Sequence, residues 1–378
     1  MIEATGNAVM ERRNDAAAGD TALPSGKPAV FHFTSPSHAA DRGSELAADM
    51  IRLGTIIRAD VAMALAMLGA LATCVGIWHF PVLLPASDSA AFVGLHYLYP
   101  LFGVAILSSG VAMAGKQAHR RQTLQILCAI LCYAMVLYAH FSFKLWTPHI
   151  NPTNYDQALW RVDESLHGVV QTCMAIRAAL TAIIPYTFNA YMLAFIGLFY
   201  VGLIWQARVA PEKARELILA CMIMQMLGTA GYLLMPAVGP FRYEVGVNPM
   251  VTVQQMAMLD FYRQSIAGGP DWLAAHGAHA FTAGLAAMPS LHVAGATLFF
   301  LNAQRHSRPL AIGFGVVLAY IVVTAVAARW HYLVDLPVGA GVAWFSLRAA
   351  QWLVHMESLE IRLPAAARWD WLRAATAN

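Results

Sequence analysis

Two histidines lie at the edges of apolar segments in the last third of the chain, in company that favours nucleophilic or acid–base chemistry. His292 ends the sequence Met288-Pro-Ser-Leu-His292, and His331 is followed four residues later by Asp335. Four residues make about one helical turn, so we expect the Asp335 carboxylate to hold one ring nitrogen of His331 and leave the other free to attack. A lone histidine at a helix end usually bonds only a nearby carbonyl. Ionisable groups at membrane depth, however, are rare without a task.

The composition indicates that these residues belong to a membrane protein. Of 378 residues, 59% are hydrophobic and 12% are charged, against roughly 25% charged residues in soluble domains. The net charge of +3 is small, and the basic residues do not form patches with aromatic side chains, so nucleic acid is not expected as a partner. The five cysteines lie in or beside apolar runs, which is typical of buried small side chains rather than of disulfides or a zinc site.

Eight apolar blocks follow a polar amino-terminal segment. A membrane core needs about 20 helical residues, so the sequence predicts an all-α, polytopic membrane protein with about eight transmembrane helices. The blocks lie at 61–84, 91–114, 123–143, 186–206, 216–236, 286–304, 309–328 and 332–354. In the sixth block, Pro289 is expected in the first helical turn, where its missing amide hydrogen is harmless.

The distribution of Lys and Arg predicts the orientation. With eight spans, 18 of the 24 Lys and Arg fall on the side that carries both termini, and basic residues accumulate on the cytoplasmic side of membranes. Both termini are therefore predicted to be cytoplasmic, with residues 1–58 either solvated or partly an interfacial helix. His292 and His331 are then expected together on the non-cytoplasmic face. Two long connections, at 144–185 and 237–287, also lie on that face and are typical of caps or lids.

The two histidine motifs resemble signatures of the type 2 phosphatidic acid phosphatase superfamily of membrane lipid phosphatases and phosphotransferases. Pro289-Ser-Leu-His292 resembles its second signature, and His331 with Asp335 resembles the third. The superfamily core has six helices, with the signatures after the third and at the starts of the fourth and sixth, which matches spans three to eight here. The resemblance implies a cytoplasmic tail at 1–58, two additional helices at 59–122, a six-helix core at 123–355 and a cytoplasmic tail at 356–378.

The resemblance also implies a role for each motif residue. His331 would be the nucleophile that takes the phosphoryl group as a phosphohistidine, and Asp335 would orient it. His292 would protonate the leaving oxygen and later deprotonate the acceptor, while Ser290 would donate to a phosphate oxygen. No cofactor and no metal are implied, because superfamily members work without metal.

A separate possibility of a metal site comes from His276 and His279. Their spacing could hold an ion, but no further cluster of ligands accompanies them in the sequence, so we do not expect a metal there.

The basic residues that bind phosphate in the phosphatases are not at their usual positions in this sequence. The third signature usually has Ser-Arg seven and six residues before its histidine, where this chain has Thr324 and Ala325. The first signature, a Lys followed six residues later by Arg-Pro, is missing. In its place, residues 232–243 (YLLMPAVGPFRY) resemble the variant first motif of the inositolphosphotransferase branch, which includes the fungal inositol phosphorylceramide synthases. Residues 156–168 likewise resemble the outer amphipathic helix of that branch.

Three residues near these motifs are therefore candidates for binding the substrate. Arg242 and Tyr243 end the variant motif, and Arg329 lies two residues before His331. Arg329 has an alternative interpretation as an interfacial anchor beside Trp330.

The sequence thus predicts a lipid phosphotransferase that moves a phospho-headgroup between a phospholipid and a lipid alcohol of the ceramide or diacylglycerol type. Hydrolysis of a lipid phosphate or polyprenyl diphosphate is the alternative in the same fold, since water and a lipid hydroxyl use the same acceptor position. The long outer caps, which could exclude water, favour transfer. A transporter or a non-catalytic lipid-binding scaffold fits less well, because neither needs the set of His292, His331 and Asp335. The expected partners are membrane lipids, and the oligomeric state is left open.

Overall fold

The computed structural model describes residues 58–86, 98–114, 117–185, 190–245, 249–281 and 288–361. Within these ranges, all secondary structure is helical. The α-helices are α1 (Ala59–Trp78), α2 (Tyr99–Ala114), α3 (Gln117–Ile150), α4 (Asp156–Ser165), α5 (His167–Ile183), α6 (Ala190–Val209), α7 (Ala214–Leu234), α8 (Pro249–His276), α9 (Leu291–His306), α10 (Arg308–Ala327) and α11 (Asp335–Ile361). Short 3-10 turns lie at Pro211–Lys213, Pro240–Arg242 and Gly277–Ala280. The predicted interfacial helix before residue 58 and the tail after 361 lie outside the described residues.

The predicted all-α architecture is confirmed, and a helix occupies each of the eight apolar blocks. By length and composition, α1, α3, α6, α7 and α10 can cross a membrane. α4 and α5 form a bent pair that would make a sixth span if it is counted as one, and α2 is a shorter apolar helix. These helices are those of an integral membrane protein. The number of eight spans stays a prediction.

The two long connections are more helical than the sequence suggested. α3 continues to Ile150, so Lys144 lies inside a helix and not at the start of a loop. The helix predicted at 156–168 is present as α4, after which the chain bends by 81° into α5, an apolar helix outside the eight blocks. The second connection contains α8, which kinks at Gly269, whose φ of 65° favours glycine.

α7 is the central helix of the bundle. Its residues are apolar or small around most of the circumference, and the run from Leu217 to Met224 is buried, which is the pattern of a core helix. α3 and α11 lie along it. A Cβ at Gly228 or Gly231 would come within 2.7 Å of Leu291 or 2.4 Å of Pro289, respectively, so these glycines let α7 approach the segment before α9 closely.

The start of α9 differs from the sequence expectation. The helix begins at Leu291, and Ser290 is its N-cap, with the side-chain oxygen accepting from the Val293 amide at 3.4 Å. The expectation that Pro289 occupies the first helical turn is therefore wrong, because Pro289 precedes the cap, after a cis peptide bond from Met288. His331 also lies outside a helix, in the turn that joins α10 to α11.

A group of charged residues joins α1 to the rest of the bundle at the end opposite to His292 and His331. Asp60 is fully buried and pairs with Arg58 and Arg215. Arg215 pairs with Glu357 near the end of α11, and the Glu357 carboxylate accepts from the Ala59 amide at 3.0 Å. The beginning of α1 is thus tied to α7 and α11 through charge.

Cysteines introduced at Ala267 and Ser358 are predicted to react from opposite sides of the membrane. Both side chains are exposed, and the 24 residues from Asp335 to Ser358 rise about 35 Å, enough to cross a membrane core of about 30 Å. In a cysteine-free background, an impermeant maleimide should label Ala267→Cys in intact cells and Ser358→Cys only after permeabilisation. Labelling of both positions from one side would contradict the orientation.

Candidate active site

His331 and Asp335 are in contact, although not through a helical turn. The turn after α10 is closed by the amides of Trp330 and His331, which both donate to the Ala325 carbonyl at 3.3 Å. The Nδ1 atom of His331 then lies 3.2 Å from Oδ2 of Asp335, and the same oxygen accepts from the Tyr332 amide at 2.8 Å. Asp335 is fully buried. The carboxylate therefore holds the ring through Nδ1, and Nε2 is the nitrogen that Asp335 does not engage.

His292 lies in the first turn of α9, beside His331. The centroids of the two rings are 6.1 Å apart, with their planes at 66°. The opposite surroundings of His292 are aromatic, because Phe195 and Tyr191 of α6 lie at centroid distances of 4.6 Å and 5.2 Å. This separation allows both imidazoles to reach one tetrahedral phosphoryl group, with a nitrogen of one ring on the phosphorus and the other within hydrogen-bond reach of an oxygen.

Backbone contact fixes His292 relative to Asp335. The Ser290 amide donates to the Asp335 carbonyl at 3.1 Å. On the next turn of α11, a Cβ at Gly339 would lie 2.5 Å from the Ser290 carbonyl oxygen, so only glycine permits this approach. Ser290 itself is fully buried. Since its oxygen caps α9 as an acceptor, its hydroxyl hydrogen is what it can offer to another group.

Asp156, at the start of α4, is a buried centre of hydrogen bonds beside the His331 turn. Its carboxylate accepts from the amides of Val238 at 2.9 Å and Gly239 at 2.9 Å, and from the Tyr332 hydroxyl at 2.8 Å. Arg242 also approaches it, with Nη1 at 3.4 Å. One carboxylate therefore joins α4, the loop that follows α7 and the residue next to His331.

A second carboxylate of α4 holds the other side of the same turn. Asp163 accepts from Nη2 of Arg329 at 3.0 Å and from the Leu333 amide at 2.8 Å. Arg329 has a left-handed backbone with φ of 58°, is 1% exposed, and its Nε lies against the carboxylate of Glu244. Its guanidinium also lies 5.6 Å from the centroid of Trp160. Arg329 is therefore a buried residue paired with two carboxylates, which does not favour the interpretation of it as an interfacial anchor beside Trp330.

The remaining candidates lie at the surface of the site. Arg242 is 45% exposed at its side chain, and Tyr243 is half-exposed. The Tyr243 ring stacks on Trp160 at a centroid distance of 4.8 Å and an interplanar angle of 22°. Burial raises the pKa of the Tyr243 hydroxyl, and the nearby Asp156 carboxylate adds to the effect, so the hydroxyl stays protonated at neutral pH. Arg242 and Tyr243 thus form an accessible polar edge beside the His331 turn.

The importance of Asp156 and Asp163 was not predicted from the sequence, where both lie in a segment that resembles an outer amphipathic helix. Asp156, Leu159 and Asp163 are the buried residues of α4. Their spacing of three and four places them on one helical face. Two acidic residues that share the face of a buried leucine were the available signal, because a carboxylate on the apolar face of a helix needs a partner inside the protein.

Two groups can be tested as metal ligands. His276 donates from Nδ1 to the Trp272 carbonyl at 2.9 Å and stacks on the Trp272 ring, which accounts for its position. Asp60, Cys128 and Cys132 have ligand atoms within 4.8 Å of one another, but Asp60 already faces Arg58 and Arg215. Two guanidinium groups at the same carboxylate disfavour a cation there, so the residues do not fit a metal.

The sequence pattern of the PAP2 superfamily matches residues 157–349, which is 193 of the 378 residues. The chain belongs to the PAP2 superfamily. Members of the PAP2 superfamily are generally phosphatases or phosphotransferases, which supports an enzyme. The matched range of this PAP2 protein contains both histidines, Asp335, Arg242 and Arg329, and it begins one residue after Asp156. Neither the curated proteins nor the solved structures gave a significant match.

The close packing of α11 on the Ser290 segment predicts different effects for two glycines of this PAP2 protein. Gly339→Ala places a Cβ against the Ser290 carbonyl, whereas Gly341 has open space around its Cβ position. Gly339→Ala should destabilise the protein by about 1–3 kcal/mol. It should also lower activity about tenfold or more, because displacement of reacting groups by about 1 Å is costly.

Gly341→Ala is the matched control in the same helix. It should leave activity unchanged and stabilise slightly, since alanine is the better helix former by up to about 1 kcal/mol. Thermal unfolding and initial rates of the two purified variants measure both effects. Equal behaviour of the two variants would contradict the packing described.

Proposed function

We propose that this PAP2 protein is a membrane lipid phosphotransferase that works through a phosphohistidine on His331. The observation that carries the proposal is the buried contact between His331 and Asp335. The centroid of the His331 ring also lies 6.1 Å from that of His292. An acceptor on Nδ1 leaves Nε2 as the attacking atom, and a second imidazole at this distance can move a proton at the leaving or entering oxygen.

The proposed reaction has two displacements at phosphorus. In the first, Nε2 of His331 bonds to the phosphorus of the donor phospholipid, and the bond from phosphorus to the lipid alcohol oxygen breaks. His292 gives a proton to that oxygen. In the second, the hydroxyl of an acceptor lipid loses its proton to His292 and bonds to phosphorus, and the N–P bond breaks. The headgroup and its phosphate move together, and no redox step occurs.

The phosphoryl oxygens are proposed to be bound by residues around the His331 turn. The Ser290 hydroxyl hydrogen remains available while its oxygen caps α9. Within the described ranges, Nη1 of Arg329 has no hydrogen-bond partner, although the other nitrogens meet Asp163 and Glu244. Buried donors of this kind stabilise developing negative charge without reorganising. Arg242 and Tyr243, at the accessible edge, are proposed to bind the headgroup phosphate as it enters.

Transfer is favoured over hydrolysis by the helices beside the site. α4 lies directly against the His331 turn through Asp156 and Asp163. α8 is attached to the same turn, since Gln255 donates to the Ala328 carbonyl at 2.8 Å. Helices that pack against the site in this way limit the access of water to a phosphoryl intermediate.

The placement of the site in the membrane is part of the proposal. We place both termini in the cytoplasm, the site on the non-cytoplasmic face, and the six-helix core at 123–355 after two additional helices. The Lys and Arg distribution supports this arrangement.

His331→Ala should abolish transfer while the protein remains folded in the membrane. Loss of the nucleophile removes the covalent pathway, so the rate should fall by about a thousandfold or more. Asp335→Asn should lower the rate strongly with normal expression, and His355→Ala, an exposed histidine at the far end of α11, is the control. With a donor labelled in its headgroup phosphate and no acceptor, label should appear on wild-type protein and not on His331→Ala. Near wild-type turnover of His331→Ala would overturn the mechanism.

The nature of the products separates transfer from hydrolysis. Purified protein is incubated with a panel of labelled phospholipids, with and without ceramide or diacylglycerol. We expect a new phospholipid that appears only when the lipid alcohol is present. Release of free phosphate or headgroup phosphate at the same rate in both cases would instead identify a phosphatase.

A further inference from the structure

Lys144 is a cation inside α3 that the proposed mechanism does not use. Its ammonium nitrogen lies 5.9 Å from the centroid of the Tyr232 ring, and the His140 ring centroid lies 5.8 Å from that of the same tyrosine. A cation–π contact of this kind holds an ammonium group in place but leaves its charge uncompensated. Lys144 therefore lies beside Tyr232, at the end of α7 that packs against the segment before His292.

The packing of α7 links the surroundings of Lys144 to the segment that leads to His292. Gly228 and Gly231 of α7 contact Leu291 and Pro289, the residues just before His292. Tyr232 follows Gly231 directly and carries the Lys144 ammonium on its ring. α3 and α7 pack along each other, and the Nδ1 atom of His140 on α3 lies 2.8 Å from the Thr229 hydroxyl on α7.

The other cations near the site already have carboxylate partners. Arg242 faces Asp156, and Arg329 faces Asp163 and Glu244. No carboxylate pairs with Lys144 among the residues in the described ranges. An ionisable side chain at membrane depth is costly without a counter-charge, so the arrangement suits an anion that arrives with the substrate.

We infer that Lys144 binds the phosphoryl oxygens of the lipid substrate on the His292 side of the site. This inference rests on the proposed function. Lys144 would supply the positive charge that the family pattern has at the position of Ala325. In this role Lys144 reaches the phosphoryl group from α3, whereas Arg329 belongs to the His331 turn. Its ammonium stabilises the negative charge that builds on the equatorial oxygens during both displacements.

The first test compares variants of Lys144 with a matched loss of charge elsewhere. Lys144→Met keeps the length and apolar stem of the side chain, and Lys144→Arg keeps the charge. Arg263→Met removes one positive charge from an exposed position on α8, where Arg263 pairs with Asp260. Lys144→Met should lower kcat and raise the half-inhibiting concentration of inorganic phosphate, each by about 10- to 100-fold. Lys144→Arg should keep a larger share of both properties, and Arg263→Met should match wild type.

The second test uses the wild-type chain, so it does not depend on whether a variant folds. Purified protein is treated with an amine-acylating reagent, with and without inorganic phosphate, and the modified lysines are quantified by mass spectrometry. Phosphate should slow acylation of Lys144 and leave Lys213, a half-exposed lysine at the opposite end, unchanged. Equal acylation of Lys144 in both conditions would overturn the inference, as would a Lys144→Met variant that keeps wild-type kcat and phosphate inhibition.

The two tests distinguish failure of the inference from failure of the proposed function. If the wild-type enzyme is active and Lys144→Met changes neither turnover nor phosphate inhibition, only the role of Lys144 is contradicted. A wild-type protein that transfers and hydrolyses none of the lipids, while phosphate still protects Lys144, contradicts the proposed activity and leaves the anion site in place.

Discussion

The end of the bundle that carries the two histidines depends on the buried carboxylate of Asp156. It accepts from two successive amides of the loop after α7 and from the hydroxyl of Tyr332, next to His331. Where water is scarce, each of these donors would be costly to leave unpaired. One side chain of α4 therefore satisfies donors from two segments that are far from it in sequence. Asp163, two turns later on α4, does the same for Arg329 and the Leu333 amide. The turn with His331 is held by its own hydrogen bonds to the Ala325 carbonyl and by the short helix α4 that packs against it.

The two histidines are positioned by different physical means. His331 is placed by directional hydrogen bonds to Asp335 and by the turn that closes on Ala325. His292 is placed by close packing, with aromatic rings on one side and glycines of α7 and α11 behind the segment that leads to it. Hydrogen bonds fix ring orientation, whereas packing fixes distance. A site that transfers a group between two partners needs a fixed orientation and a fixed distance. The attacking nitrogen must point at the phosphorus, and the imidazole that moves the proton must stay within hydrogen-bond reach.

The sequence predicted the parts of this fold that follow from local patterns. Apolar blocks of membrane length gave all eight corresponding helices, and the spacing of His331 and Asp335 correctly suggested that they meet. The reason given for that meeting was wrong, since a turn and not a helix brings them together. Pro289 was misplaced because the residue that caps α9 is Ser290. The partners of Asp156 and Asp163 were out of reach of local patterns, since Tyr332 is 176 residues away from Asp156. Lys144 was assigned to a connection because the sequence gives no clear end to α3.

The charged residues at the end of the bundle opposite to the histidines connect the matched family region to helices outside it. Arg58 also donates to the Gln125 carbonyl of α3 at 2.8 Å, and Asp60 supplies the negative charge between Arg58 and Arg215. The matched family region begins only at residue 157, yet a helix that starts about one hundred residues earlier completes the charge balance of α7 and α11. A protein cut to residues 157–349 would leave Arg215 without Asp60 and without Glu357. The part of the chain that matches the family pattern is therefore smaller than the part whose buried charges pair with one another.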